Sequence, residues 1–260
     1  MPPRMVPWSE PWLWELRPDS GAAVERPVAT VLFLPHAGGS ATAFSGWAAA
    51  LPGPVRTLAA QYPGRGPRFG EPAATELAEL VEPLVAALAP LPGPLLLVGH
   101  SLGALVGFEL AWTLQLRGRT PRGLLASAAR APGSPTLFGN RPEVPRSKEL
   151  IDLLRRTGGL PAPVLASPDM LSLVLEPVRS DLALVERYRF GSVERRLRCP
   201  IVAVGGRDDA LIPRQLLERW KDRGSGGVTV HLFDGDHFYF ADQLDRVAAL
   251  VDGLLPAEAR

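Results

Sequence analysis

Ser101 stands between two glycines in Gly99-His100-Ser101-Leu102-Gly103, and far downstream His237 closes the turn Asp234-Gly235-Asp236-His237. A serine hydroxyl is a poor nucleophile until a base takes its proton, and that base needs a carboxylate to hold its tautomer and stabilise the imidazolium. Serine, acid and histidine in that chain order imply attack on an acyl carbonyl, an acyl-serine intermediate and its release by water. Those steps call for no metal and no cofactor. With 26 glycines in 260 residues the pentapeptide alone is a weak signal, and its setting decides its value.

Four histidines compete for the role of base: His36, His100, His231 and His237. His100 adjoins the serine, where its side chain is expected to point away from it. His231 falls within the strand-like alternation VTVHLF. His237 follows the last apolar run and precedes a helical pattern, which puts it at the same carboxyl edge of a sheet as Ser101, so it is the expected base. For the acid, Asp208 and Asp209 sit together in GGRDDALIP. Asp209 is preferred, because it begins the Asp-x-aliphatic-aliphatic-Pro run that starts with the acid in many serine hydrolases. Asp208 then reads as a solvated loop or capping residue, and Asp234 and Asp236 as turn formers. A developing oxyanion needs backbone N–H donors. The glycine-rich turn in VLFLPHAGGS supplies one in Ala37, and the residue after the nucleophile, Leu102, supplies the other.

These residues need elements to hold them. The aliphatic run 95–98 reads as a buried strand, and 101–116 places Leu102, Leu105, Phe108, Trp112 and Leu116 at helical steps, so Ser101 sits on a strand-turn-helix. Glycines at 99 and 103 are expected to leave room where a Cβ would collide with the neighbouring strand and helix. Further strands are expected over 28–34, 55–60, 123–128, 201–204 and 228–233, and helices over 75–88, 213–222 and 240–254. Pro83 is expected to kink or break the helix over 75–88. Strands alternating with helix-length connections imply one α/β domain, residues 1–260, with a mostly parallel central sheet flanked by helices. The interval 132–192 holds no convincing strand and reads as a helical lid insertion, with Leu150, Leu153, Leu154, Met170, Leu171, Val174 and Leu175 on its apolar faces. The proline-rich N-terminal segment reads as a loosely packed arm.

Composition excludes several classes. There are 28 basic and 27 acidic residues, a net charge of +1, which suggests neither a nucleic-acid nor an anionic-membrane partner. Cys199 is the single cysteine, so no disulfide framework exists, and its position before Pro200 and an apolar run suggests a buried thiol. No signal-peptide core and no apolar run of membrane-spanning length occur, so a soluble, cytoplasmic chain is expected, with a monomer as the default state.

The motifs GHSLG, LPHAGGS, QYPGRG at 61–66, LRRTGGLP at 154–161, PVRSDLALVERY at 177–188, GGRDD and FDGDHF together resemble the type II thioesterases that accompany polyketide and nonribosomal peptide synthases. The resemblance runs from residue 28 to residue 245. It implies the α/β-hydrolase fold, with Ser101, Asp209 and His237 as nucleophile, orienter and base and with Ala37 and Leu102 as oxyanion donors. The implied substrate is an acyl group on the phosphopantetheine arm of an acyl carrier protein, and the implied task is release of stalled or misprimed chains. One departure stands out: the family usually has Ser-Gly-Arg before Ala-Pro, where this chain reads SAARAP at 127–132. Three other readings share these residues: a general serine esterase or lipase on free esters, an acyltransferase or cyclase, and a non-catalytic binding protein on the same scaffold.

Overall fold

Two strands that the sequence reading does not anticipate open the chain, β1 (Arg4–Ser9) and β2 (Leu13–Arg17). The six expected aliphatic runs follow as β3 (Ala29–Leu34), β4 (Val55–Ala60), β5 (Leu95–His100), β6 (Gly123–Ser127), β7 (Ile201–Gly206) and β8 (Val228–Phe233). The computed structural model describes residues 4–17, 24–51, 53–138, 144, 147–160, 162–191 and 194–259. The eight strands form one sheet in the order β1-β2-β4-β3-β5-β6-β7-β8. β3 to β8 are parallel throughout, and β2 joins β4 antiparallel.

The N-terminal segment is no loose arm but a β1–β2 hairpin, with Leu13 and Leu16 buried in the core. Prolines suggested irregular chain, yet Pro7 sits on the outermost strand at an irregularity in the β1–β2 register, the kind of position where sheets accommodate proline. Trp8 and Trp12 then stack under Arg56 and Arg68, each cation within 4.3 Å of its ring centroid.

The helices are α1 (Ser45–Ala50), α2 (Ala78–Leu88), α3 (Leu102–Leu116), α4 (Ser147–Arg156), α5 (Ala162–Leu165), α6 (Pro168–Arg187), α7 (Arg214–Glu218) and α8 (Leu244–Leu254). α2, α3 and α7 bury their apolar faces on one side of the sheet, and α1 and α8 on the other. Covered on both faces, β3, β5, β6 and β7 are buried along their whole length, which is why they read as continuous aliphatic runs.

Two helical expectations change. α2 does not break: it runs through Pro83 while Leu80, Val81, Leu84 and Leu88 pack on both sides of it, so tertiary packing outweighs the local penalty. α3 is buried nearly all round, whereas Leu116, expected in its apolar stripe, is 66% exposed. A helix clasped between a sheet and other helices has no single inward face, so its periodicity fades.

Between β6 and β7 lie α4, α5 and α6, which occupy the described part of the interval 132–192. Leu150, Val178 and Leu182 form a separate small core, with Leu153, Leu154, Val174 and Leu175 packed on it. Met170 departs from its expected place. It lies in the first turn of α6, ahead of that core, and is exposed. Ser167 caps α6 by accepting the Met170 N–H, and Pro168 fills the first helical position, where no N–H partner is needed. Cys199 is buried, and burial pushes its thiol up to about 11. Among the described residues no helix is long and apolar enough to cross a membrane.

Candidate active site

Ser101 is the hinge between β5 and α3. Its backbone takes φ 54° and ψ −116°, a conformation that costs a non-glycine residue about 1–3 kcal/mol and persists only where the surroundings enforce it. The enforcement is visible on both sides. A Cβ on Gly99 would lie 2.2 Å from the Gly103 carbonyl oxygen, and one on Gly103 would lie 1.9 Å from the Leu34 carbonyl oxygen. Both glycines are therefore required by close approach, as expected from the pentapeptide. The Ser101 N–H donates to the Ser127 carbonyl at 2.8 Å, tying the turn to β6.

Asp209 and His237 come together because the turns after β7 and β8 are pressed against each other. A Cβ on Gly206 would meet the Asp236 and Gly235 carbonyl oxygens at 2.1 and 2.3 Å. His237 Nδ1 lies 2.8 Å from Asp209 Oδ2, and both residues are buried. Asp209 Oδ1 accepts the N–H groups of Leu211 and Ile212 at 2.9 and 3.1 Å, which fixes the carboxylate from below. A carboxylate only accepts, so His237 carries its proton on Nδ1 and presents Nε2 as the basic nitrogen. Asp208 is exposed. Asp234 pairs with Arg207 at the surface, and Asp236 accepts the Phe238 N–H as a turn former does.

The structure also gathers two histidines that the sequence reading set aside. The His100 ring is 5.0 Å from that of His237 and 5.7 Å from that of His36, with Phe238 and Phe240 closing around them. His100 Nδ1 meets Ser127 Oγ at 2.9 Å, and Ser127 Oγ meets the Tyr239 hydroxyl at 2.7 Å. Burial holds His100 well below the ordinary histidine range and lowers His36 to about 4, with positive charge on His237 opposing both further. Both rings are neutral neighbours of the His237 imidazole. Among the described residues, His237 alone of the four histidines pairs with a carboxylate, while His231 sits on β8 beside Thr229.

Ala37 lies on the turn after β3, and Leu102 opens α3. The turns meet where Gly103 abuts Leu34 and Pro35. Sequence reasoning missed what holds the first of them. Asp181, on α6, accepts the Gly38 N–H at 2.8 Å and both terminal nitrogens of Arg65 at 2.5 and 2.8 Å. Gln61 accepts the Ala41 N–H and donates to the Arg65 carbonyl. Arg65 and Asp181 are charged residues inside the motifs QYPGRG and PVRSDLALVERY; nothing in either motif alone pairs them. The turn around Gly158 and Gly159 approaches Asp236 and Phe238, so the insertion touches the His237 loop as well. Ala128, in the SAARAP stretch, has φ 46°, the left-handed conformation that glycine adopts without strain.

Comparison with known proteins identifies the family. Residues 29–255 match the family model described as the thioesterase domain. A probable cadicidin biosynthesis thioesterase of Streptomyces griseus is 32% identical over 237 residues, 91% of this chain and 63% of its own length. Thioesterase PikA5 of Streptomyces venezuelae is 35% identical over 236 residues, 89% of this chain and 81% of its own. The solved structure of BorB, a type II thioesterase from the borrelidin biosynthetic cluster, superposes with a TM-score of 0.78 at 30% identity, covering 94% of this chain and 98% of that one. A family model spanning residues 29–255 covers most of the chain, and the chain belongs to the thioesterase family.

Proposed function

We propose that this chain is a serine thioesterase that hydrolyses acyl groups from the phosphopantetheine arm of carrier proteins, clearing stalled or misprimed chains in polyketide or nonribosomal peptide synthesis. The observation that carries the chemistry is the buried His237–Asp209 pair beside the strained Ser101 turn. The choice of substrate draws on the similarity to PikA5 and BorB.

In this reading His237 Nε2 takes the Ser101 proton as Oγ bonds to the thioester carbonyl carbon, and the carbonyl electron pair moves onto oxygen. The Ala37 and Leu102 N–H groups receive that oxyanion. Collapse breaks the carbon–sulfur bond, and the imidazolium returns the proton to the departing thiolate. Water, deprotonated by His237, then attacks the acyl-serine, and a second collapse frees the acid and Ser101. Asp209 keeps the proton on Nδ1 and stabilises the imidazolium. The insertion over 132–192 serves as the lid, its apolar core lying against the Ala37 turn.

One acyl chain presented on a holo carrier protein and as a p-nitrophenyl ester, to wild type and Ser101→Ala, tests the proposal. The expected outcome is a kcat/KM at least about 100-fold higher for the carrier thioester, abolished by the substitution. Faster turnover of the free ester, indifferent to the carrier, would leave a general esterase instead.

A further inference from the structure

Asp181 is the one acidic side chain of α6 that reaches the turn carrying Ala37, and it is 1% exposed. Its two oxygens accept three N–H groups: Gly38 from one loop, and Nη1 and Nη2 of Arg65 from another. Arg65 is itself 5% exposed, and its Nε donates to the Pro63 carbonyl at 3.1 Å. Gly38 has φ +74°, and a Cβ there would stand 2.3 Å from Val178 Cγ2, so α6 lies directly on this turn with no slack.

Two consequences follow from elementary electrostatics. A lone carboxylate here would oppose a negative oxygen developing near Ala37, and the Arg65 guanidinium cancels it. Moving α6 away would leave Arg65 buried without its counter-charge and Gly38 without its acceptor, so the arrangement favours a fully seated helix over any intermediate position.

We propose that Asp181 is a positioning residue that couples the seating of α6 to the oxyanion site: Ala37 is aimed at the reacting oxygen only while Asp181 holds Gly38 and Arg65. The inference rests on the hydrolase reading above through the role given to Ala37. In that coupling, substrate enclosed beneath a seated α6 meets a formed oxyanion site, whereas a displaced α6 leaves the serine without one.

The test uses an alkyl trifluoromethyl ketone. Ser101 Oγ bonds to its carbonyl carbon, the electron pair passes to oxygen, and the proton goes to His237, so the adduct carries the oxyanion; an alkyl amide of equal length binds without it. Asp181→Asn is expected to lower kcat by about 10- to 100-fold with KM within about threefold, and to weaken the ketone by a similar factor while leaving the amide within about threefold. Arg65→Lys, which keeps the charge and loses the fork, is expected to act in the same direction. In wild type, hydrogen–deuterium exchange should show segments 36–40 and 176–184 gaining protection together when the ketone binds. This arm decides the matter if neither variant folds. Equal loss of ketone and amide affinity, unchanged kinetics in Asp181→Asn, or independent protection of the two segments would overturn the coupling. Hydrolysis that survives Ser101→Ala would instead overturn the reading beneath it.

Discussion

Asp208 and Asp209 are neighbours in sequence with opposite fates. Asp208 faces solvent, while Asp209 is 4% exposed and bound to the Leu211 and Ile212 N–H groups and to His237. The physical content of the Asp-x-aliphatic-aliphatic-Pro run is now plain. The backbone turns back so that its second and third following N–H groups clamp the first residue's carboxylate, and the aliphatic side chains bury that clamp. Asp209→Asn keeps the shape but offers an amide that favours the wrong imidazole tautomer, so kcat should fall on the order of 10³- to 10⁴-fold with the fold intact. Asp208→Asn should change it less than about twofold. Steady-state hydrolysis of a p-nitrophenyl ester by both variants, with circular dichroism as control, checks the pair. Equal effects would mean that the Asp209–His237 contact does not serve catalysis.

Among the elements, the parallel strands were legible because each is buried on both faces and therefore continuously aliphatic. The β1–β2 hairpin was not, because its signal is split between one buried strand and an edge strand containing Pro7. Its contribution to the fold is measurable. Leu13 is fully buried and pairs with Ala60 of β4, so Leu13→Ala should cost about 2–5 kcal/mol in urea unfolding. A loss below about 0.5 kcal/mol would mean that the hairpin is only loosely attached. Similar reasoning explains α2: Pro83 argued locally for a break, and four buried leucine and valine neighbours argued more strongly for continuity.

For the whole molecule, the histidine cluster links the site to stability. His36 is held at about 4 against an ordinary 6.5, and His100 lies well below that value, because burial disfavours their charged forms. The unfolded chain therefore binds protons that the native one refuses. The contribution of His36 and His100 is full above pH 6.5 and is lost for His36 as pH falls toward about 4. Urea midpoints from pH 7.5 to 4.5 should fall in wild type and fall less steeply in His36→Asn; parallel slopes would show that His36 is protonated as readily folded as unfolded. This cluster also marks the boundary of what could be read in advance. The chain by itself determined the succession of the six parallel strands, the serine turn and the acid-base pairing, since these rest on local period, on glycines a few residues apart and on a turn that clamps its own aspartate. Tertiary structure alone decided that His100 packs against both His36 and His237, that Arg65 meets Asp181 across 116 residues, and that the N-terminus extends the sheet. Those contacts join segments distant in the chain, and their energies arise only from burial and charge pairing after the sheet has brought the segments together.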